Sequence, residues 1–143
     1  MCVGGAGAFT TGRLSRGFRF SLEPLLLQRK AIENVRLATL TRAQARLEQA
    51  HAHLARLELE FAGAFAEIPR GGSALPAELE RAVAAAQTAV ARCVAETDEA
   101  RVPLLEAVAN RKAIEALKKR RLAEYDAREA RKEERELDEA NLG

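Results

Sequence analysis

The sequence predicts an all-α fold, an antiparallel two-helix coiled-coil hairpin whose second helix overhangs the first. Three observations predict it. Leu40, Ala43, Leu47, Ala50, Leu54, Leu57, Phe61, Ala64 and Ile68 follow one another in steps of three and four, the spacing of a left-handed coiled-coil seam. A single strong breaker cluster, Pro69-Arg-Gly-Gly-Ser73, divides the chain into two helix-forming halves. Trp is absent, aromatics make up 4% and charged residues 31%, a composition of long helices rather than of a wide-cored globule. A stripe this narrow cannot stabilise a lone helix in water, so it needs a packing partner.

The 143-residue chain begins with Met1 to Gly17, rich in Gly and Thr, which contains Arg13 and Arg16 and no acid. It reads as a disordered extension, residues 1–17. It lacks the apolar run of a secretory signal, and its acid-free character only weakly resembles an organellar transit peptide. No apolar run of about 18 residues occurs anywhere, so no membrane-spanning helix is expected. Residues 18–143 read as one hairpin: helix 18–68, turn 69–75, helix 76–140. Ser21 suits the N-cap of the first helix, with Pro24 third in line, where a missing N–H costs nothing. Leu22, Leu25, Ile32 and Val35 form an apolar row that heptads carry to Thr39, one short of Leu40. A slip of the seam is therefore expected between Arg36 and Leu40.

The short turn makes the two helices antiparallel neighbours. Pro76 opens the second, whose seam reads Leu79, Val83, Ala86, Val90, Cys93, Thr97, Ala100, Leu104, Ala107, Arg111 and Ile114, then Leu117, Leu122 and Tyr125. Pro103 lies inside it and should kink it, at a cost of about 3 kcal/mol. If the chain folds about Gly71 and Gly72, facing residues have numbers summing to roughly 144. Pro103 then stands level with Thr41, which suggests a shared bend. Phe18 stands level with Asp126, so residues beyond Ala127 overhang; that stretch is almost all charge and should fray.

Net charge is +2, too small to announce a nucleic acid or a membrane surface, but it is unevenly spread. Met1 to Arg36 carries six basic against two acidic residues, and Glu124 to Gly143 eight acidic against four basic. The sharpest constellation is Arg111, Lys112, Lys118, Lys119, Arg120 and Arg121 with only Glu115 among them. It makes a field able to steer an acidic partner, or it is a solvated coiled-coil flank. Nucleic acid is not expected, because the acidic tail follows at once and stacking aromatics are lacking. Leu79, Ala82, Val83 and Ala86 are likewise either seam or a docking face.

No catalytic residue, cofactor or metal site is expected. A thin seam offers no enclosed pocket, and the glutamates lie on open helix faces. His51 and His53 are two apart on a helix and point away from each other, so they cannot chelate one ion. Gly4-Gly-Ala-Gly7 lacks the strand, helix and Lys-Ser/Thr of a phosphate loop. Cys2 and Cys93, far apart in sequence, read as free thiols of a reducing compartment, with an intermolecular disulfide as the other reading.

The opening Phe18-Arg-Phe-Ser-Leu-Glu-Pro-Leu-Leu-Leu-Gln-Arg29 resembles the start of the flagellar export protein FliJ family. Arg111-Lys-Ala-Ile-Glu-Ala-Leu117, Leu122-Ala-Glu-Tyr125 and Glu136-Leu-Asp-Glu-Ala140 resemble that family's C-terminal helix. The resemblance implies a non-enzymatic, cytoplasmic stalk, peripherally associated with the inner-membrane export apparatus of the bacterial flagellum and monomeric when free. Its implied partners are the hexameric export ATPase, the cytoplasmic domain of the export gate, and substrate chaperones. The end bearing both termini would enter the ATPase ring, through Phe18, Phe20, Arg29, Arg111, Lys112, Lys118, Lys119, Arg120, Arg121 and Tyr125. Leu75, Leu79, Ala82 and Ala86 would meet the gate. Two departures from the family pattern stand out, the residues before Phe18 (an extension or a wrongly assigned start) and Pro103. From the residues alone, a generic coiled-coil scaffold that dimerises through its heptad seam is the alternative.

Overall fold

A computed structural model describes residues 17–67 and 76–143. The predicted turn 69–75, together with Ile68 and residues 1–16, lies outside the described part. Two helices account for nearly all of the rest: α1, Glu23–Glu67, and α2, Ala77–Leu142. The fold is an all-α helical hairpin, and it resolves into two compact units. One is built from residues up to Lys30 and from Ala109 onward, the other from Ala31–Val108.

The helix starts differ from expectation. Phe18–Phe20 is not helical, and the first α-helical hydrogen bond runs from Leu26 N–H to the Leu22 carbonyl at 2.9 Å. Leu22, not Ser21, is thus the capping position, and Pro24 stands second in the helix, still inside the turn where its lost donor is harmless. Ser21 instead accepts a hydrogen bond from Arg121 Nη1 at 3.5 Å. At the other start, the Pro76 carbonyl accepts from Leu79 and Glu80 N–H, so Pro76 caps α2 rather than opening it. Glu78 and Glu80 then sit in the first turn, where the helix dipole favours negative charge.

In the Ala31–Val108 unit, between residues 41 and 67 the side chains that are not exposed are Ala43, Leu47, Ala50, Leu54, Leu57, Phe61 and Ala64. That is the predicted stripe. Its deepest members are Ala43, 2% exposed, and Leu40. The facing stripe on α2 is also as predicted, with Ala86, Thr97 and Ala107 buried. Arg46 Nε reaches Glu96 Oε2 at 3.7 Å, an antiparallel pair whose numbers sum close to the expected value. At that register Leu57 stands level with Ala86 and Leu47 with Thr97. Large residues thus alternate with small ones across the seam, which lets two backbones approach closely without voids. Thr97, a polar residue at 2% exposure, satisfies its hydroxyl within its own helix by donating to the Cys93 carbonyl at 2.8 Å.

The predicted row is covered in part: Leu22, Leu25, Ile32 and Thr39 are half-buried, and Val35 departs from it. Val35 is 61% exposed, whereas Leu26 is buried at 1%. Stepping back from Leu40 by four and three passes through the exposed Arg36, the half-buried Glu33 and Arg29, and then Leu26 and Leu22, so in this part of α1 the covered stripe takes in both rows. Helix α2 passes through Pro103 without interruption, the proline itself half-buried. At the level of Pro103 on α1, Thr41 Oγ1 donates to the Leu37 carbonyl at 2.9 Å and Thr39 Oγ1 to that of Val35 at 3.0 Å.

Candidate partner-binding site

The unit that carries both ends of the described chain is held by an aromatic clasp. Phe18, on the non-helical lead into α1, packs its ring against Tyr125 of α2 at a centroid distance of 5.6 Å and an angle of 53°. The geometry is tilted, as the quadrupoles of two rings prefer. Gly17 makes this possible, since a Cβ there would lie 2.5 Å from the Tyr125 hydroxyl. Phe20 turns inward and is 8% exposed, next in the chain to the buried Leu26 turn. Phe20 therefore serves the interior of the unit and not, as expected, a partner surface.

Electrostatic contacts fix the register around this clasp. Lys118 Nζ meets Glu23 Oε2 at 2.7 Å, Lys30 Nζ meets Glu115 Oε1 at 3.9 Å, and Arg111 Nη1 donates to Glu115 Oε2 at 2.6 Å. The cross-helix pairs Phe18–Tyr125, Ser21–Arg121, Glu23–Lys118 and Lys30–Glu115 have numbers summing to 141–145, so the unit is antiparallel at the predicted register.

These contacts divide the predicted basic cluster. Arg111 and Lys118 are engaged within the protein by Glu115 and Glu23, and Arg121 is tethered to Ser21. Arg29 is half-buried, and its Nε is a buried donor with no hydrogen-bond partner among the described residues. Lys112, Lys119 and Arg120 are exposed and form no ion pair with any described residue, so they remain the outward charges of the cluster. Beyond Glu129, the last half-buried residue, α2 runs on with every side chain exposed and stays helical to Leu142, past the predicted end at Ala140.

Sequence reasoning missed one grouping. Arg19 lies with Arg121 and Arg128 around a groove of about 620 Å³ beside the Phe18–Tyr125 pair. The antiparallel register could have found it: the residue facing Arg19 is Tyr125, and Arg121 and Arg128 stand one turn to either side.

The family profile described as Flagellar FliJ protein matches residues 18–142. The chain belongs to the FliJ family. No curated protein matches it, and no solved structure does. FliJ membership makes the chain a component of flagellar protein export. The match begins at the aromatic lead Phe18 and runs into the exposed end of α2, so it takes in the clasp and the charged overhang alike.

The second set of expected FliJ contacts lies in the other unit. Leu79 and Ala82 are half-buried near the start of α2, and Leu75 falls outside the described residues. Ala86 is 4% exposed and belongs to the seam, which corrects its expected place on a docking face. Among the described residues no group of acidic, His or Cys side chains could hold a metal ion, and no helix is long and apolar enough to cross a membrane. His51 and His53 are both exposed, and Cys93 is half-buried with a free thiol.

Proposed function

We propose that the protein is a non-enzymatic stalk that docks the unit bearing its two ends into the hexameric flagellar export ATPase and couples it to the export gate. One observation carries this reading. Helix α2 continues from Ala130 to Leu142 with every side chain exposed and none covered by the described residues. An unpacked helix end is held only by its own backbone hydrogen bonds and charge pairs and frays readily, and its dense charge suits polar, reversible contact inside another assembly. Lys112, Lys119 and Arg120 add an outward positive field that would speed encounter with an acidic rim.

In this proposal the working contacts are Phe18, Tyr125 and the exposed basic residues, while Arg111 and Lys118 set the shape that presents them. Leu79 and Ala82, half-covered, are the residues proposed to meet the cytoplasmic domain of the gate, and substrate chaperones are proposed as further partners. The scaffold alternative draws less support, because the seam through which it would dimerise is occupied within the chain. A pull-down titration against purified export ATPase tests the proposal. Lys119→Glu with Arg120→Glu should weaken association and flatten its salt dependence while helicity by circular dichroism is unchanged. Binding equal to wild type removes the basic face from the mechanism.

A further inference from the structure

We infer that Arg19, Arg121 and Arg128 form a recognition site for an acidic polypeptide segment along the groove bordered by Phe18 and Tyr125. The three guanidinium groups come from the two chain segments that the clasp brings together, and among the described residues Glu124 is the only carboxylate lining the same groove. Five cations of the protein are held in ion pairs: Lys118 with Glu23, Lys30 and Arg111 with Glu115, Arg46 with Glu96, and Arg101 with Asp98. Arg19 and Arg128 form no ion pair with any described residue, and Arg121 donates only a long 3.5 Å bond to Ser21; what distinguishes these three from the other unpaired cations is that they line one groove from two chain segments. Each guanidinium offers five N–H donors in a planar fork that matches a carboxylate bidentately, so nearly all the donor capacity of the trio faces outward unused.

The spacing selects the form of the ligand. Arg121 and Arg128 lie two helical turns apart, about 10 Å along α2, with Arg19 level between them. That arrangement fits carboxylates on successive turns or alternate residues of one segment, with its stems against the two rings. A planar anionic surface fits poorly. Both rings are half-buried, so no apolar side chain of the groove protrudes to enter a bilayer. The site deepens the stalk proposal, on which it rests for where such a segment would be met.

Fluorescence anisotropy with a labelled glutamate-rich peptide, its glutamine counterpart, and flotation with phosphatidylcholine–phosphatidylglycerol vesicles tests the site on the full chain. The glutamate peptide should bind and the glutamine peptide should not. Arg19→Gln with Arg128→Gln should weaken binding about tenfold or more, the loss expected for charge-assisted bonds. The charge-matched control Arg42→Gln with Arg56→Gln, both exposed on α1 and neither lining the groove, should change it by less than about twofold, the residue of a screened long-range field. Equal losses in the two double variants, no binding of the peptide by wild type, or vesicle binding that depends on Arg19 and Arg128 while the peptide fails, each overturns the site. Wild type that holds the peptide through these arginines but does not associate with the export ATPase removes the stalk proposal and leaves the site standing.

Discussion

Replacing Leu26 by Ala is the sharpest test of how the clasp unit is built. Leu26 is 1% exposed and, with Thr97, is one of the two largest fully buried side chains among the described residues. Losing its apolar surface from the interior costs about 1.5–3 kcal/mol by transfer alone, and Leu→Ala changes in cores range over about 2–5 kcal/mol once the cavity is added. A two-helix layer can close partly around the gap, so the expected loss is at the low end, about 2–3 kcal/mol. For a chain of this length that lowers the melting temperature by roughly 6–12 °C. The companion variant is Val35→Ala, since Val35 is 61% exposed. Its loss of contact is small and is offset by the better helix propensity of Ala, leaving a change within about 0.5 kcal/mol of zero. Thermal melts followed by circular dichroism measure both, and amide hydrogen exchange shows whether protection falls in the Leu26 unit. Equal destabilisation by the two variants, or a larger effect at Val35, would refute the register and restore the row Leu22, Leu25, Ile32 and Val35 as the seam.

Three more outcomes are expected. Gly17→Ala should displace the tyrosine ring and change its fluorescence, which reports one residue because the chain has a single Tyr and no Trp. The same substitution made together with Tyr125→Phe should be nearly silent in stability, because the 2.5 Å contact is with the hydroxyl. Phe18→Ala and Tyr125→Ala should show a coupling of about 0.5–1.5 kcal/mol in a double-mutant cycle, and an additive result would mean that the rings do not support one another. The Glu23–Lys118 pair is more than a third exposed on both sides, so Glu23→Gln should cost about 1 kcal/mol or less and the cost should shrink in high salt.

The seam of residues 40–64 was legible because every fourth or third residue there is apolar and its neighbours are charged or small. The N-terminal part of α1 was not, for a physical reason. Arg29 and Glu33 are half-buried beside Leu25 and Ile32, which are half-buried too, so two rows share the cover and a pattern read by polarity picks out only the apolar one. Helix packing followed the backbone period instead and buried Leu26. The basic cluster was visible as a run of letters, but a run does not show pairing. Glu23 and Glu115 neutralise Lys118 and Arg111, and Glu23 reaches Lys118 only through the antiparallel fold. Arg19 was overlooked because, one residue into a non-helical lead, it has no cationic neighbour in sequence; Arg121 and Arg128 join it only across the clasp. Ala86 shows the converse. A small residue in a small-residue row looks like a docking face, yet small residues are also what a close helix crossing requires, and Ala86 is used that way.

Hydrogen exchange of the full chain with and without the purified export ATPase bears most directly on the function. Docking through the clasp unit predicts that the ATPase protects amides in residues 17–30 and 111–142, above all the exposed turns after Glu129, and leaves residues 40–64 little changed. Protection confined to 40–64 and 79–107, or none in the exposed end of α2 under conditions where the two proteins co-purify, would contradict it.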